Sequence, residues 1–370
     1  MAGDPENDPG IWLRPVWETE DDEALEPPER PRARKAPAEP DYDHPLLAPL
    51  ARAQEAVARL EAKTEACSSV VAEGLLARMS YLEAAGWLRH AHIWIHPWDL
   101  ALRDHGATTS YGAAARSDRL ETVMPATLAQ QAGLDDVVAS GAIGLDNAVN
   151  RALVLARMWR RLAELRSWHP LGGAEIVRKT LQSLCCGGLE EGVIEDWLAG
   201  TYIRDQGPDL IRAGKAARDW MCQPGVRERD PDGVFLGACL WQEKHRTAPI
   251  PLPFWSAPEP HHHRLGLKIG LAWVAEFLEC VTAAAMIGLR ELARLQEAEK
   301  KGRMMGATKR SRLPAAVDAV LRQDIVTAGT LAKAIDVTPQ AAWGLLRQLT
   351  AAGIVREATG RASWRAYALI

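Results

Sequence analysis

Aromatic residues other than tryptophan are scarce. Three Phe and five Tyr stand beside fourteen Trp in 370 residues. No β-rich stretch precedes residue 354, so a sandwich or barrel is excluded for the bulk of the chain. The six cysteines (Cys67, Cys185, Cys186, Cys222, Cys239 and Cys280) include no CxxC pair. A disulfide framework or a thiolate zinc ribbon is therefore not expected, and the thiols read as core residues. The first residues lack a basic region followed by an apolar run, the mark of a signal peptide. No stretch of eighteen residues is uninterruptedly apolar; the nearest, Leu265–Leu278, is broken by Lys268 and Glu276. A cytoplasmic protein with no membrane contact is the expectation. Neither a glycine-rich phosphate loop nor a G-x-S-x-G elbow occurs.

What is present is a charge asymmetry. The net charge of −4 hides thirteen Asp/Glu against five Lys/Arg in residues 1–43, and twelve Lys/Arg against four Asp/Glu in residues 300–370. A basic module that meets a polyanion, joined to a body that does not, is the pattern this predicts.

Residues 1–44 are rich in Pro, Asp and Glu and are expected to be disordered. From Pro45 the period is helical. Leu46, Leu50, Ala53, Val57 and Leu60 form one stripe at spacings of three and four. Further helices are predicted over 71–92, 144–167, 174–184, 189–198 and 208–221. A Pro-heavy stretch, 246–264, then precedes one long helix over 265–304. Residues 45–305 are thus expected to be an all-α body. The glycine-bearing basic segment EKKGRMMGATKRSRLP follows, which places a domain boundary near residue 306.

The last segment predicts three helices and a hairpin. Residues 313–323 form the first helix. Thr327 caps a second over 328–335, Asp336-Val337 make the turn, and Thr338 with Pro339 starts a third that Gly353 ends. On that third helix Ala342, Leu346 and Leu349 share one side. Gln340, Gly344, Arg347 and Gln348 face the other, a polar surface with a small residue at its centre. Strands over 354–357 and 364–368 make a wing edged by Arg356, Arg361 and Arg365. Residues 306–370 therefore read as a winged helix-turn-helix that takes double-stranded DNA, with Lys309, Arg310 and Arg312 adding phosphate contacts. A winged helix used only for protein contacts stays open.

Other candidates lead less far. His92 and His96 stand four apart without a third ligand, and His261-His262-His263 sit in Pro-rich sequence, so no metal or cofactor is expected. Ten Trp (87, 94, 98, 159, 168, 197, 220, 241, 255 and 273) recur at helix faces, as packing anchors or as the lining of an effector pocket.

The stretch from Ser311-Arg312-Leu313-Pro314 through Val337-Thr338 to Arg356-Glu357-Ala358-Thr359-Gly360-Arg361 and Trp364-Arg365-Ala366 closely resembles the C-terminal helix-turn-helix of a family of unknown function. That family belongs to rhizobia and related alphaproteobacteria, often on symbiotic plasmids. The stretch WIHPWDLALRDHGATTSYGAAAR resembles its helical region. The resemblance implies a DNA-binding protein and supplies no catalytic residues. Ser69 with Glu73-Gly74, and His169-Pro170 with Gly172, Gly173 and Arg178, are similar to motifs of Fic-type nucleotidyl transferases. The Asn of that catalytic loop is missing and the glycine spacing differs, so the phosphate cradle such chemistry needs is incomplete.

The expected protein is a homodimeric transcriptional or plasmid-associated regulator, not an enzyme, whose body dimerises or senses a small-molecule effector. A degenerate Fic-type enzyme and a protein-interaction scaffold are the alternatives.

Overall fold

The computed structural model describes residues 44–105, 145–164, 169–184, 190–203, 207–227, 230–266, 268–305, 311–359 and 365–370. The acidic segment expected to be disordered lies outside these, apart from residue 44, as do Trp168, Cys185, Cys186, Lys309, Arg310 and Arg361. The body is all-α, and a helix-turn-helix follows it.

Helix α1 (Leu47–Glu65) buries the predicted stripe of Leu50, Ala53, Val57 and Leu60. Helix α2 (Ser69–His90) starts where Ser68 Oγ accepts the Val71 N–H at 3.3 Å. It is buried on nearly every side, which makes it the axis of the body. Against it pack α3 (Pro97–Asp104) and α4 (Leu145–Ala163); α5 (Ala174–Ser183), α6 (Glu191–Ile203) and α7 (Asp209–Met221) follow in the chain. Helices α8 (Asp232–Lys244), α9 (Glu259–Gly266) and α10 (Gly270–Met304) complete it.

Four features depart from the expected pattern. Helix α8 is buried on all its faces, so its residues carry no helical period to find. The single long helix expected over 265–304 is two. Ile269 is extended and Gly270 takes φ 55°, which turns the chain between α9 and α10. Helix α9 also starts inside the stretch read as Pro-rich loop. Finally, contacts divide the chain between Tyr42 and Asp43 and not near residue 306; Asp43–Ile370 form one unit.

Helix α10 is the one described helix long and apolar enough to cross a membrane by length and composition. Its apolar residues, among them Val274, Leu278, Val281 and Ala285, are buried among those of α1, α2 and α7, as in the core helix of a globular body. Leu271 of the predicted face is exposed and Leu289 half-buried.

The Pro-rich segment is no surface linker. Ile250–Ala257 is buried against α2, and an irregular buried backbone must find partners for its N–H groups. Glu83 supplies them. Its carboxylate accepts from the backbone N–H of Phe254 (3.0 Å), Trp255 (2.7 Å) and Ser256 (3.0 Å), and from Ser256 Oγ at 2.6 Å. Burial pushes the Glu83 carboxyl up, and those four donors oppose the shift. Gly86, one turn on, lets the strap lie flat: a Cβ there would come 1.8 Å from the Trp255 carbonyl oxygen.

Both residues are therefore expected to fix the strap. Glu83→Ala leaves several buried donors unmade and should cost at least about 3 kcal/mol. Gly86→Ala should cost about 1–3 kcal/mol through overpacking. Urea unfolding gives the magnitudes. Limited proteolysis should cut first within residues 246–258 in both variants, and cleavage elsewhere would show that the strap is held otherwise.

Candidate nucleic-acid interface

The C-terminal residues build their site from caps. Helix α11 (Leu313–Arg322) carries Pro314 in its first turn and buries Leu313, Ala316, Val317, Val320 and Leu321. A short strand, β1 (Ile325–Thr327), then enters α12 (Ala328–Ile335). Thr327 Oγ1 accepts the Thr330 N–H at 3.1 Å, and Thr330 Oγ1 accepts the Thr327 N–H at 2.8 Å, a reciprocal capping box. Asp336 closes that helix in the left-handed region at φ 52°, and the Val337 N–H returns to the Ala332 carbonyl at 3.0 Å. Thr338 Oγ1 accepts the Ala341 N–H at 3.2 Å and starts α13 (Pro339–Ala351). Gly353 ends it at φ 65°.

Two strands follow, β2 (Val355–Glu357) and β3 (Ala366–Leu369). The sheet order is β1-β3-β2, antiparallel throughout, with Val326 opposite Tyr367 and Arg356 opposite Ala368. Strand β1 was not expected. Three residues are too few to show an alternation, and Thr327 reads only as a helix cap.

On α13, Ala342, Leu346 and Leu349 are buried, while Gln340, Arg347 and Gln348 are exposed. The predicted division of the helix holds. Trp343 is a residue that the spacing argument missed. It stands four residues before Arg347, whose guanidinium carbon lies 4.9 Å from its ring centroid. The i, i+4 spacing of Trp and Arg was the available signal, since it puts one side chain over the other. Gly344 is half-buried, yet a Cβ there would meet nothing within 4 Å among the described residues.

Residues 313–370 match the family of helix-turn-helix DNA-binding domains. The match supports a DNA-binding role for this part of the chain. The chain is also similar to the uncharacterized protein y4cF of Sinorhizobium fredii (strain NBRC 101917 / NGR234). The two are 34% identical over 152 residues, which span 40% of this chain and 36% of that relative.

The remaining predicted phosphate contacts of the helix-turn-helix domain are less alike than the sequence suggested. Arg312 is exposed at the start of α11. Arg356, although exposed, lies with its guanidinium carbon 5.5 Å from the Trp98 ring of α3. Arg365 is 3.7 Å from the Glu357 carboxylate across the hairpin. Thr338 is occupied as a cap. Lys309, Arg310 and Arg361 lie outside the described residues.

The body holds the domain from below through α2. Arg78 is 3% exposed. It donates to the carbonyl oxygens of Leu321 (2.6 Å), Val320 (3.2 Å) and Gln323 (2.7 Å), the unsatisfied end of α11, and to Gly74 of its own helix at 3.1 Å. Asp324 stands 3.8 Å away and is buried. Burial pushes its carboxyl up to about 6, with Arg78 and a hydrogen bond from Trp98 pulling the other way. Gly74 permits the approach, since a Cβ would come 2.0 Å from the Leu321 carbonyl oxygen. Glu73 accepts from Arg322 at 2.7 Å, and Arg303 reaches Asp318 at 2.8 Å.

This gives Glu73-Gly74, read above as similar to a Fic-type motif, a place in the docking of α11. His169 of the other motif has its Nδ1 3.2 Å from Arg246, and Arg178 pairs with Glu175. His92 lies beyond the end of α2, and His96 caps α3 by accepting the Trp98 N–H at 3.2 Å.

Arg78→Ala strips the donor from several buried carbonyls and removes the cation beside Asp324. It should cost about 3–5 kcal/mol. Hydrogen exchange locates the loss: amides of residues 313–327 should exchange faster, with those of α1 unchanged. An even increase over the whole chain would refute a local docking role.

Proposed function

We propose that this chain is a regulator that binds duplex DNA as a winged helix-turn-helix, with α13 in the major groove and the β2–β3 hairpin against the flanking phosphates. The observation that carries the reading is Gly344. A glycine in mid-helix costs about 1 kcal/mol relative to alanine, and no packing among the described residues asks for it here. Its smallness serves something outside the domain. Gln340, Arg347 and Gln348 flank it on the exposed face, and the Trp343 ring preorders the Arg347 guanidinium. A groove edge is what such a face fits.

The same reading makes the protein cytoplasmic and homodimeric, its two copies addressing half-sites one helical turn apart, on a chromosome or a plasmid. No catalytic role is assigned to it.

Two substitutions test the proposal on the full chain, with duplex selected from random sequence. Gly344→Ala should raise the stability of the fold by up to about 1 kcal/mol. It should also weaken DNA binding, because the added methyl group stands between helix and groove. Arg347→Ala should cost about 1–3 kcal/mol on the selected duplex and much less on random duplex. Fluorescence anisotropy over a salt series reads both. The proposal fails if Gly344→Ala binds as well as the parent, or if no duplex is bound at low salt.

A further inference from the structure

A tryptophan on α13 stands apart from the packing of its helix. Among the described residues, the apolar side chains of α13 that meet the core are Ala342, Leu345, Leu346 and Leu349. Trp343 is outside that set and is half-buried. Large aromatic side chains usually serve as packing anchors, so one left at the surface of a helix needs another reason. Its ring meets Arg347, which is exposed and has its guanidinium carbon 4.9 Å from the ring centroid.

The two side chains form one unit. Residues four apart lie on one helix face, and a helical side chain leans towards the N-terminal end, which brings Arg347 over Trp343. Around the helix Arg347 falls between Trp343 and Gly344, and the glycine, with no side chain, keeps the approach beside the pair open. Trp343 stands in the second turn of α13, within the N-terminal part of a recognition helix that meets base edges.

A guanidinium that takes guanine O6 and N7 together lies in the plane of that base, because its fork is planar. The 4.9 Å from guanidinium to ring is of the order of the rise between base pairs, roughly 3.4 Å, with a lateral offset. The indole ring then comes level with the neighbouring base pair. Apart from Nε1–H its edge is apolar, and the apolar group that a major groove offers is the C5-methyl of thymine.

We infer that Trp343 determines specificity: its indole edge packs on the C5-methyl group of a thymine next to the guanine that Arg347 takes, so that α13 selects a thymine beside a guanine. The inference rests on the DNA-binding reading above and names the sequence feature that the same face prefers.

The test uses the full chain and the duplex selected from random sequence. The guanine is located as the position where Arg347→Ala relaxes discrimination, and a thymine should stand directly beside it. Deoxyuridine in place of that thymine removes the methyl group and nothing else. It should weaken binding of the parent at least about threefold, the worth of covering one methyl group. Trp343→Ala should bind more weakly and treat the thymine and deoxyuridine duplexes alike. Because the deoxyuridine duplex is applied to the unaltered protein, the methyl contact is tested even if the variant fails to fold. Absence of such a guanine, or of a thymine beside it, overturns the inference. So does equal binding of the two duplexes by the parent, or an undiminished preference for thymine in Trp343→Ala; in these cases DNA is still bound and the regulator reading stands. If no duplex is bound at low salt, both fall together.

Discussion

A guanidinium buried beneath the end of α11 is the constraint on which the lower half of the structure depends. Helix ends expose carbonyl groups, and a helix end buried in protein must find donors for them. Arg78 gives the Leu321, Val320 and Gln323 carbonyls their donors from one planar group. A lysine could not, since its ammonium lacks the fork that spans them. Gly74 beneath the contact, and Glu73 beside it, follow from the same closeness. The helix-turn-helix is consequently fastened to the body where α11 meets α2.

Helix α2 repeats the device with the opposite sign. Glu83, little more than a turn beyond Arg78, collects backbone N–H groups from the strap as Arg78 collects carbonyls from α11. Each buried charge replaces a secondary-structure partner for backbone that has none. This explains how a chain with 23 prolines keeps an all-α body dense: its irregular segments are tied to a helix through side chains.

Much of the helix-turn-helix was legible because its signals are local. Thr327, Thr338, Pro339 and Gly353 each act within four residues, and all four stand where caps and stops require. The outward face of α13 was legible for the same reason. Strand β1 was not, because its identity comes from pairing with β3 some forty residues later. Helix α8 was hidden by its complete burial, and the break before Gly270 by the apolar residues on both sides of it. Arg78 and Glu83 were invisible as docking residues, since nothing near them in sequence tells what they meet. The surroundings of Arg356 and Arg365 were not legible: a count of arginines cannot show that one lies on Trp98 and another beside Glu357.

The pairing of Arg78 with Leu321 spans 243 residues. A ribosome adding roughly 5–20 residues per second needs about 12–50 s to cover that distance. During that interval α2 exists without the carbonyls that its guanidinium will meet, and the cation must stay hydrated. The native contacts of Arg78 therefore wait until α11 emerges. Synthesis order makes the end of α11 the piece that covers Arg78.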